Sequence, residues 1–307
     1  MDRRRAFART LTALLAVLLA GAADSPTLPL REARWLAPNA LFAGLTRQPA
    51  ECLKLPADPA ERRRVEIGRV AFGAPLLLGG QAARAGLSCA SCHRNGRGNR
   101  DFQFPGLSGA PGTADVTSSL MSKSRGDRNV NPKPIPDLAG PLSAHIVSRD
   151  RESRALERFI HGLVVEEFDG PEPASAVLDG LAAYVRAIRP EACRGADEPI
   201  SLAKRLDEAE SAVKLARGAD PETRRLLLAA ARSALGAIDE RFRVSGLEAD
   251  RELLGQADGE LRAIRAATQG EDLWLRRWQD RKRRLSARED RSLYSTSVLR
   301  RKLAAGT

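Results

Sequence analysis

The sequence predicts a mostly α-helical protein with little strand. Apolar residues recur at helical spacing in several segments, and residues 200–307 contain almost no proline. The composition changes near residue 195, because 30–195 holds most of the prolines, all four cysteines and all three histidines. We therefore expect a loop-rich helical domain followed by a helical hairpin or bundle, with the chemistry in the first part.

The N-terminal segment 1–22 has the composition of a secretory signal peptide. Four arginines in the first nine residues precede an apolar run over 11–20, and the small residues at 20–22 suit a cleavage site. The apolar run is shorter than the roughly 20 residues that a membrane-spanning helix needs. The sequence therefore predicts export to the periplasm, and residues 23–59 would form an N-terminal arm of the mature chain.

The chain is strongly basic. Its 307 residues carry a formal net charge of +11 at pH 7, and part of that charge lies in the segment 1–22. A basic exported protein suits acidic partner proteins or anionic lipid headgroups. We expect no nucleic-acid partner in that compartment.

The domain predicted over 60–195 contains three helices and a long loop region. Apolar residues at 65, 67, 70 and 72 predict a helix that begins near residue 60 and ends near Gly73. The segments 151–167 and 173–188 predict two more helices. Residues 94–136 are rich in Gly, Pro, Asn and Ser, and loops of this length usually serve a site.

Helix start and stop signals divide the segment 200–289 into four helices. Gly218 ends the first, Asp220-Pro221-Glu222 caps the second, Ser245-Gly246 separates the next, and Gln269-Gly270 precedes the last. Apolar residues at helical spacing suit packing as a hairpin or bundle. Many of them are alanine, so we expect a thin core.

Basic residues exceed acidic ones at the C-terminal end. Residues 271–307 hold 11 basic and 5 acidic side chains, and the segment WLRRWQDRKRRL combines Trp274 and Trp278 with six of the basic ones. This composition suits docking on an acidic partner or an anionic membrane surface, and it equally suits an ordinary solvent-exposed helix. Residues 290–307 are predicted to form a basic tail.

The most informative motif is Cys89-Ala90-Ser91-Cys92-His93, a C-x-x-C-H sequence. Two thiols three positions apart lie on one side of a helical turn, where both can add to the vinyl groups of one porphyrin, and the adjacent histidine then binds the iron. A zinc site would need a second ligand cluster, and a redox-active cysteine pair would not use the histidine. The motif predicts one covalent haem c, attached to Cys89 and Cys92, with His93 as proximal iron ligand.

Two further cysteines bracket this motif, and three arginines follow it. Cys52 and Cys193 can pair in an oxidising compartment, so we predict a disulfide between them. Arg94, Arg97 and Arg100 can form charge-assisted hydrogen bonds to haem propionates, and they equally suit a solvated loop.

The order of these segments resembles that of a known family. IGRVAFGAPLLLGGQAARAGLSCASCH, NPKPIPDL and VLDGLAAYVRAI are similar to segments of a haem domain in the bacterial di-haem cytochrome c peroxidase and MauG-like family. The resemblance covers 60–190, less than half of the chain, and implies a cytochrome c-like haem domain with long loops. Members of that family carry two haem domains, whereas this chain has one C-x-x-C-H motif.

Three residues are candidates for the sixth coordination position of the iron. We favour His161, because its placement before the last helix of the domain resembles that of the distal ligand in small cytochromes c. His145 follows NPKPIPDL, where family members carry a histidine of the distal pocket, and Met121 lies in a serine-rich loop. An open or water-bound position is the remaining alternative.

The sixth ligand separates the functions that we expect. A strong ligand leaves no opening for a substrate and indicates a periplasmic c-type cytochrome that transfers single electrons to and from a redox partner protein. An open or displaceable position indicates a peroxidase or MauG-like enzyme. A third hypothesis is a haem-based sensor whose C-terminal helices move when a ligand binds.

Overall fold

The structure of the protein is a computed structural model that describes residues 28–123, 129–195, 197–267 and 269–305. These residues are mostly helical, with only short strands, which confirms the predicted mostly α fold class. The expected signal segment 1–22 lies outside the described residues. Within the described ranges, every helix is too short or too polar to cross a membrane.

The helices fall into an N-terminal and a C-terminal group. The N-terminal group comprises α1 (Leu41–Thr46), α2 (Pro59–Phe72), α3 (Pro75–Leu78), α4 (Gly80–Ala85), α5 (Cys89–Cys92), α6 (Pro141–Ile146), α7 (Ala155–Gly162) and α8 (Ser175–Ala187). The C-terminal group comprises α9 (Leu202–Ala216), α10 (Pro221–Arg241), α11 (Glu248–Ala266), α12 (Glu271–Ser286) and α13 (Thr296–Ala304). Two antiparallel pairs of short strands, β1 (Arg47–Pro49) with β4 (Asp197–Pro199) and β2 (Thr113–Ala114) with β3 (Lys133–Pro134), tie distant loops together.

Local capping sets the bounds of α2. The Asp58 side chain accepts a hydrogen bond of 2.8 Å from the main-chain N–H of Glu61, and Pro59 occupies the first helical position. The helix ends at Phe72, and Gly73 follows as its cap. The sequence predicted both ends to within one residue.

Helices α2 and α8 cross in close contact at the centre of the N-terminal group. Gly68 faces Gly180 at the crossing, and a Cβ atom on Gly68 would lie 1.8 Å from the Gly180 carbonyl oxygen. Only glycine permits this approach of the two main chains. One helical turn further along α2, the Phe72 ring packs edge-on against Tyr184 of α8, with ring centroids 5.1 Å apart.

Helix α7 begins later than the sequence predicted. We expected a helix over 151–167, but Arg154 has a φ of 49°, in the left-handed region, and the helix starts at Ala155. Beyond Gly162 the chain continues as a π-helical segment, Leu163–Glu167. The predicted C-terminal end is therefore observed, whereas the first four residues form a turn.

Helices α9 to α12 are the four helices predicted over 200–289. The Ser201 side chain accepts a hydrogen bond from the main-chain N–H of Lys204, and Asp220 accepts from those of Glu222 and Thr223. Serine and aspartate are residue types that favour this position, and Asp220 is the cap that the sequence predicted. Helices α9 to α12 therefore lie where the helix start and stop signals of the sequence predicted them.

Two tryptophans fill the centre of the core of α9 to α12. The Trp274 and Trp278 rings stack with centroids 4.8 Å apart, and their exposed fractions are 1% and 0%. The Trp274 indole N–H donates to the carbonyl of Ala257 at 3.1 Å. These large rings occupy the space that the many alanine side chains leave, so the expected thin core is filled from α12.

The N-terminal arm packs against the segment that we predicted to be a basic tail. Leu30, Leu36 and Leu45 form one hydrophobic cluster with Leu293 and Leu299. Residues 296–304 form helix α13. The segment 290–307 therefore contributes to a core, and three of its four basic residues, Arg300, Arg301 and Lys302, lie on α13.

The N- and C-terminal groups of helices share an interface along α2. Ile67 belongs to the hydrophobic core of α9 to α12. The Arg63 guanidinium donates to the carbonyl of Leu215, at the end of α9, at 2.8 Å. Helix α2 thus contacts α8 on one side and the C-terminal group on another, so it joins the motif-bearing part of the chain to the bundle.

Candidate haem-attachment site

The C-x-x-C-H motif forms the short helix α5 and the residue after it. The Ser88 main-chain N–H donates to the Ser91 hydroxyl at 3.0 Å, and the His93 main-chain N–H donates to the Cys89 carbonyl at 2.8 Å, so both ends of the turn are fixed. Cys89 and Cys92 are free, half-buried thiols. Both pack against the hydrophobic cluster around α2 and α8.

A main-chain carbonyl orients the imidazole of His93. The Nδ1 atom lies 3.0 Å from the oxygen of Pro136. Because a carbonyl oxygen can only accept, Nδ1 carries the proton and Nε2 keeps its lone pair. Burial lowers the pKa of His93 to about 4, although the Pro136 carbonyl and the Asp137 charge act to raise it. The ring is therefore neutral at pH 7 and able to bind a metal through Nε2.

The two thiols of the motif are protonated at neutral pH. Burial raises the pKa of Cys89 and that of Cys92 to about 12. Redox-active C-x-x-C pairs rely on a lowered thiol pKa. The environment of these cysteines thus argues against thiol–disulfide exchange, the alternative that the spacing alone left open.

Aromatic contacts connect His93 to the crossing of α2 and α8. The Phe72 ring lies between His93 and Tyr184, at centroid distances of 6.3 Å and 5.1 Å. The Tyr184 hydroxyl donates to Glu51 at 2.9 Å, and the Glu51 carboxylate also lies 2.6 Å from Arg69. Burial raises the pKa of Tyr184 well above its ordinary value. The packing at this crossing therefore fixes one side of the site.

Arg97 and Arg100, both candidates for propionate contacts, have different surroundings. The Arg97 guanidinium forms a two-point contact with Asp137, with N–O distances of 2.7 and 2.8 Å. The Arg100 side chain is 84% exposed and lies 3.9 Å from Asp197. Arg97 thus already has a carboxylate partner, whereas Arg100 remains largely accessible.

The third candidate, Arg94, belongs to a charged cluster that sequence reasoning missed. The Glu32 carboxylate lies 3.3 Å from Arg94, 3.6 Å from Arg205 of α9 and 3.8 Å from Arg241 of α10. Burial acts to raise the pKa of Glu32, but the charges of these arginines hold it below its ordinary value. The cluster joins the arm, the motif and the bundle, and no local pattern marks a pair 62 positions apart.

A cleft of about 230 Å³ lies beside this cluster, between α5 and the bundle. Ala90 and Ser91 line the cleft, whereas Cys89, Cys92 and His93 do not. The face of α5 that carries the thiols and the face that meets the bundle are therefore different.

Cys52 and Cys193 form a disulfide, 141 positions apart in the sequence. This is the pairing that we expected. The bond lies next to the motif, because the Arg97 Nη1 atom is 3.0 Å from the sulfur of Cys52 and 3.6 Å from that of Cys193. The disulfide therefore ties two distant segments together beside the residues that follow His93.

The candidates for the sixth iron ligand lie in different environments. Met121 is 2% exposed and belongs to the hydrophobic cluster against which Cys89 and Cys92 pack. His161, which the sequence favoured, is 36% exposed, and its Nε2 lies 2.8 Å from Glu172. His145 is exposed on α6. The structure thus brings Met121 into the same core as the thiols, whereas His161 already has a carboxylate partner.

Acidic residues of neighbouring helices match much of the positive charge of α12. Lys282 pairs with Asp207 and Glu210, and Arg277 and Arg281 pair with Glu260. The tryptophans of the same helix are buried. The surface that α12 offers to a partner therefore includes exposed arginines such as Arg283 and Arg284 but not the two tryptophans.

Within the described ranges, no group of three or more His, Cys, Asp and Glu side chains is arranged to hold a metal ion by protein ligands alone. A haem iron needs fewer protein ligands, because the porphyrin supplies four nitrogens. No model of a known protein family, no curated protein and no solved structure matches this chain.

Proposed function

We propose that this protein is a periplasmic c-type cytochrome that carries one haem and transfers single electrons. Cys89 and Cys92 would hold the haem through thioether bonds, and His93 would bind its iron. The observation that carries the proposal is the 3.0 Å contact between His93 Nδ1 and the Pro136 oxygen, which leaves Nε2 free beside two free thiols. Histidine ligands of metals generally donate their other N–H in this way.

The donor set fits a covalent haem. Both thiols and the neutral imidazole come from one helical turn, and the thiols pack against an apolar cluster of the kind that a porphyrin requires. A haem bound there would supply an iron that gains or loses one electron. The residues of the chain would fix the ring of His93, shield the site from water through the α2–α8 core, and hold the loop that carries Pro136.

We propose Met121 as the sixth ligand of the iron. Its buried position in the cluster that the thiols contact supports this choice over His161, whose Nε2 lies 2.8 Å from Glu172. A thioether at this position would favour electron transfer, because it leaves no opening for a substrate. The peroxidase or MauG-like alternative requires this position to be open or displaceable.

The proposed location and partner follow from charge and cysteine chemistry. The segment 1–22 has the composition of a signal peptide, and the disulfide between Cys52 and Cys193 suits an oxidising compartment. Segment 1–22 carries a net charge of +3, so the remaining +8 of the total +11 favours an acidic redox partner protein or an anionic membrane surface.

The test is whether the exported protein carries covalent haem. The full chain is produced in a bacterial host with the haem-attachment machinery, extracted with acidified acetone and analysed by its pyridine haemochrome spectrum. We expect haem to remain with the wild type and to be lost from Cys89→Ser/Cys92→Ser. The matched control, Cys52→Ser/Cys193→Ser, should keep its haem, and a wild-type protein without haem overturns the proposal.

Spectra of the haem-bearing protein then separate electron transfer from the enzymatic alternative. A low-spin iron that does not react with carbon monoxide supports electron transfer. A high-spin iron that reacts with peroxide would replace this proposal with the peroxidase or MauG-like one.

A further inference from the structure

We propose that Arg97 is a positioning residue for His93, acting through Asp137 and the carbonyl of Pro136. The inference rests on the proposed function, since it concerns how the chain holds the ligand of a bound iron. It differs from the role that the sequence suggested for Arg97, a direct contact with a haem propionate.

Arg97 joins three segments around the motif. Its Nε atom donates to both carboxylate oxygens of Asp137 at 2.8 Å, and its Nη2 lies 2.7 Å from one of them. Its Nη1 lies 3.0 Å from the sulfur of Cys52 in the disulfide. Because Asp137 directly follows Pro136, the guanidinium anchors the peptide segment whose oxygen accepts from His93.

Further hydrogen bonds hold the same loop on both sides of Pro136: the Ile135 main-chain N–H donates to the Gly112 carbonyl at 2.9 Å, and the Arg149 guanidinium donates to the Leu138 carbonyl at 2.6 Å. The Asp137 carboxylate also accepts from the Ala139 main-chain N–H at 2.9 Å, which rigidifies the loop internally. On the motif side the loop lies against Gly98, where a Cβ atom would be 3.0 Å from the Ile135 oxygen. Gly98 follows Arg97 in the chain, so the loop contacts the motif at adjacent positions, and Arg97 supplies the charged contact.

The hydrogen bond from Nδ1–H controls how strongly Nε2 donates to a metal. A well-placed acceptor increases the basicity of the ring and so stabilises the more positive, ferric iron. Loss of the Arg97–Asp137 pair should let the Pro136 oxygen drift from His93. The reduction potential should then rise, and the Nδ1 proton should exchange faster with water.

The experiment uses the charge-matched variant Arg97→Met/Asp137→Asn, which removes one positive and one negative charge together. Its matched control is Arg217→Met/Asp272→Asn, the same two changes at an exposed ion pair of the bundle. The pyridine haemochrome spectrum first establishes that each protein carries haem. The reduction potential and the ¹⁵N NMR exchange rate of the His93 Nδ1 proton are then measured.

We expect a higher potential and proton exchange faster by about tenfold in the Arg97 variant, as for the loss of one ordinary hydrogen bond, with the control unchanged. Arg97→Lys, which keeps the charge and one contact, should give intermediate values and serves if the double variant does not fold. A haem-bearing Arg97 variant with the wild-type exchange rate overturns this inference and leaves the proposed function intact. A wild type without haem overturns the proposed function itself.

Discussion

Gly68 and Gly180 bring the main chains of α2 and α8 into direct contact, since a single Cβ atom on Gly68 would lie 1.8 Å from the Gly180 oxygen. The same crossing holds Phe72 against Tyr184, and Phe72 in turn lies against His93. This close contact between α2 and α8 therefore also supports the proposed iron ligand.

Gly68→Ala should lower the free energy of unfolding by about 1–3 kcal/mol or more, because the added methyl group must push two packed helices apart. Urea denaturation followed by circular dichroism measures the effect. Gly236→Ala is the matched control, since nothing lies within 4 Å of a Cβ atom there and the residue is inside α10. It should stabilise the protein by roughly 0.5–1 kcal/mol. Similar effects of both substitutions would contradict the observed crossing.

Arg186→Met should destabilise the protein by about 3–5 kcal/mol, because it leaves a buried carboxylate without its partner. Arg186 and Glu157 are paired at 2.8 Å, with side chains only 9% and 8% exposed. Urea denaturation at pH 7 tests this expectation. Arg284→Met, which removes an arginine that is 62% exposed and paired with Asp280, should change stability by less than about 1 kcal/mol. An equal loss of unfolding free energy in both variants would show that the buried pair of Arg186 and Glu157 contributes little to stability.

The same pair should make stability depend on pH in the acid range. Hydrogen bonds from Arg186 lower the pKa of Glu157 below its ordinary value of 4.5, although burial opposes this. The stability that this pair contributes is therefore present above pH 4.5, the ordinary pKa of the carboxyl. It is lost as the pH falls through the lower pKa of the folded state. Glu157→Gln should therefore lose less stability than the wild type as the pH falls below 4.5. Parallel pH profiles of the two proteins in urea denaturation would disprove this coupling.

Trp274→Ala should lower the free energy of unfolding by about 3–5 kcal/mol, since it removes a buried ring from the core of α9 to α12. The neighbouring Leu273 is 46% exposed, so Leu273→Ala is a matched control with an expected effect of about 0.5 kcal/mol or less. Thermal and urea denaturation provide the measurement. The reverse order of effects would mean that the tryptophan faces outward, as docking on a membrane would require.

Met121→Leu should convert the proposed low-spin iron to a high-spin form that binds carbon monoxide, because leucine offers no donor atom to the sixth position. His161→Ala should leave the spectrum unchanged, because its Nε2 lies beside Glu172. Absorption spectra with and without carbon monoxide distinguish the two residues. A spectral change in His161→Ala alone would restore His161 as the ligand.

Local signals predicted the bundle well. Asp220 and Ser201 cap their helices with their own side chains, so the information lies within three residues of each helix start. The start of α7 escaped prediction, because Arg154 adopts a left-handed conformation that nothing in its residue type requires. Its guanidinium pairs with Asp179 of α8 at 2.7 Å, a partner 25 positions away that a short window of sequence does not contain.

In the candidate site, too, the features that are local in the sequence were predicted and the distant ones were not. Cys89, Cys92 and His93 lie within five consecutive positions, so the proposed haem attachment could be predicted from their spacing alone. The acceptor of the His93 proton is a main-chain oxygen 43 positions away, and a main-chain atom leaves no trace in residue type. The partner of Arg94, Glu32, likewise comes from the arm and is recognisable only after the chain has folded.

The cluster of Leu30, Leu36 and Leu45 with Leu293 and Leu299 determines when the N-terminal arm can fold relative to synthesis of the chain. The ribosome synthesises the arm long before α13. The leucines of the arm therefore remain exposed to solvent, and prone to aggregation, while the intervening chain is made. The arm therefore completes its folding only after Leu293 and Leu299 have been synthesised. A nascent chain stalled before residue 293 would be a natural client for chaperones or proteases.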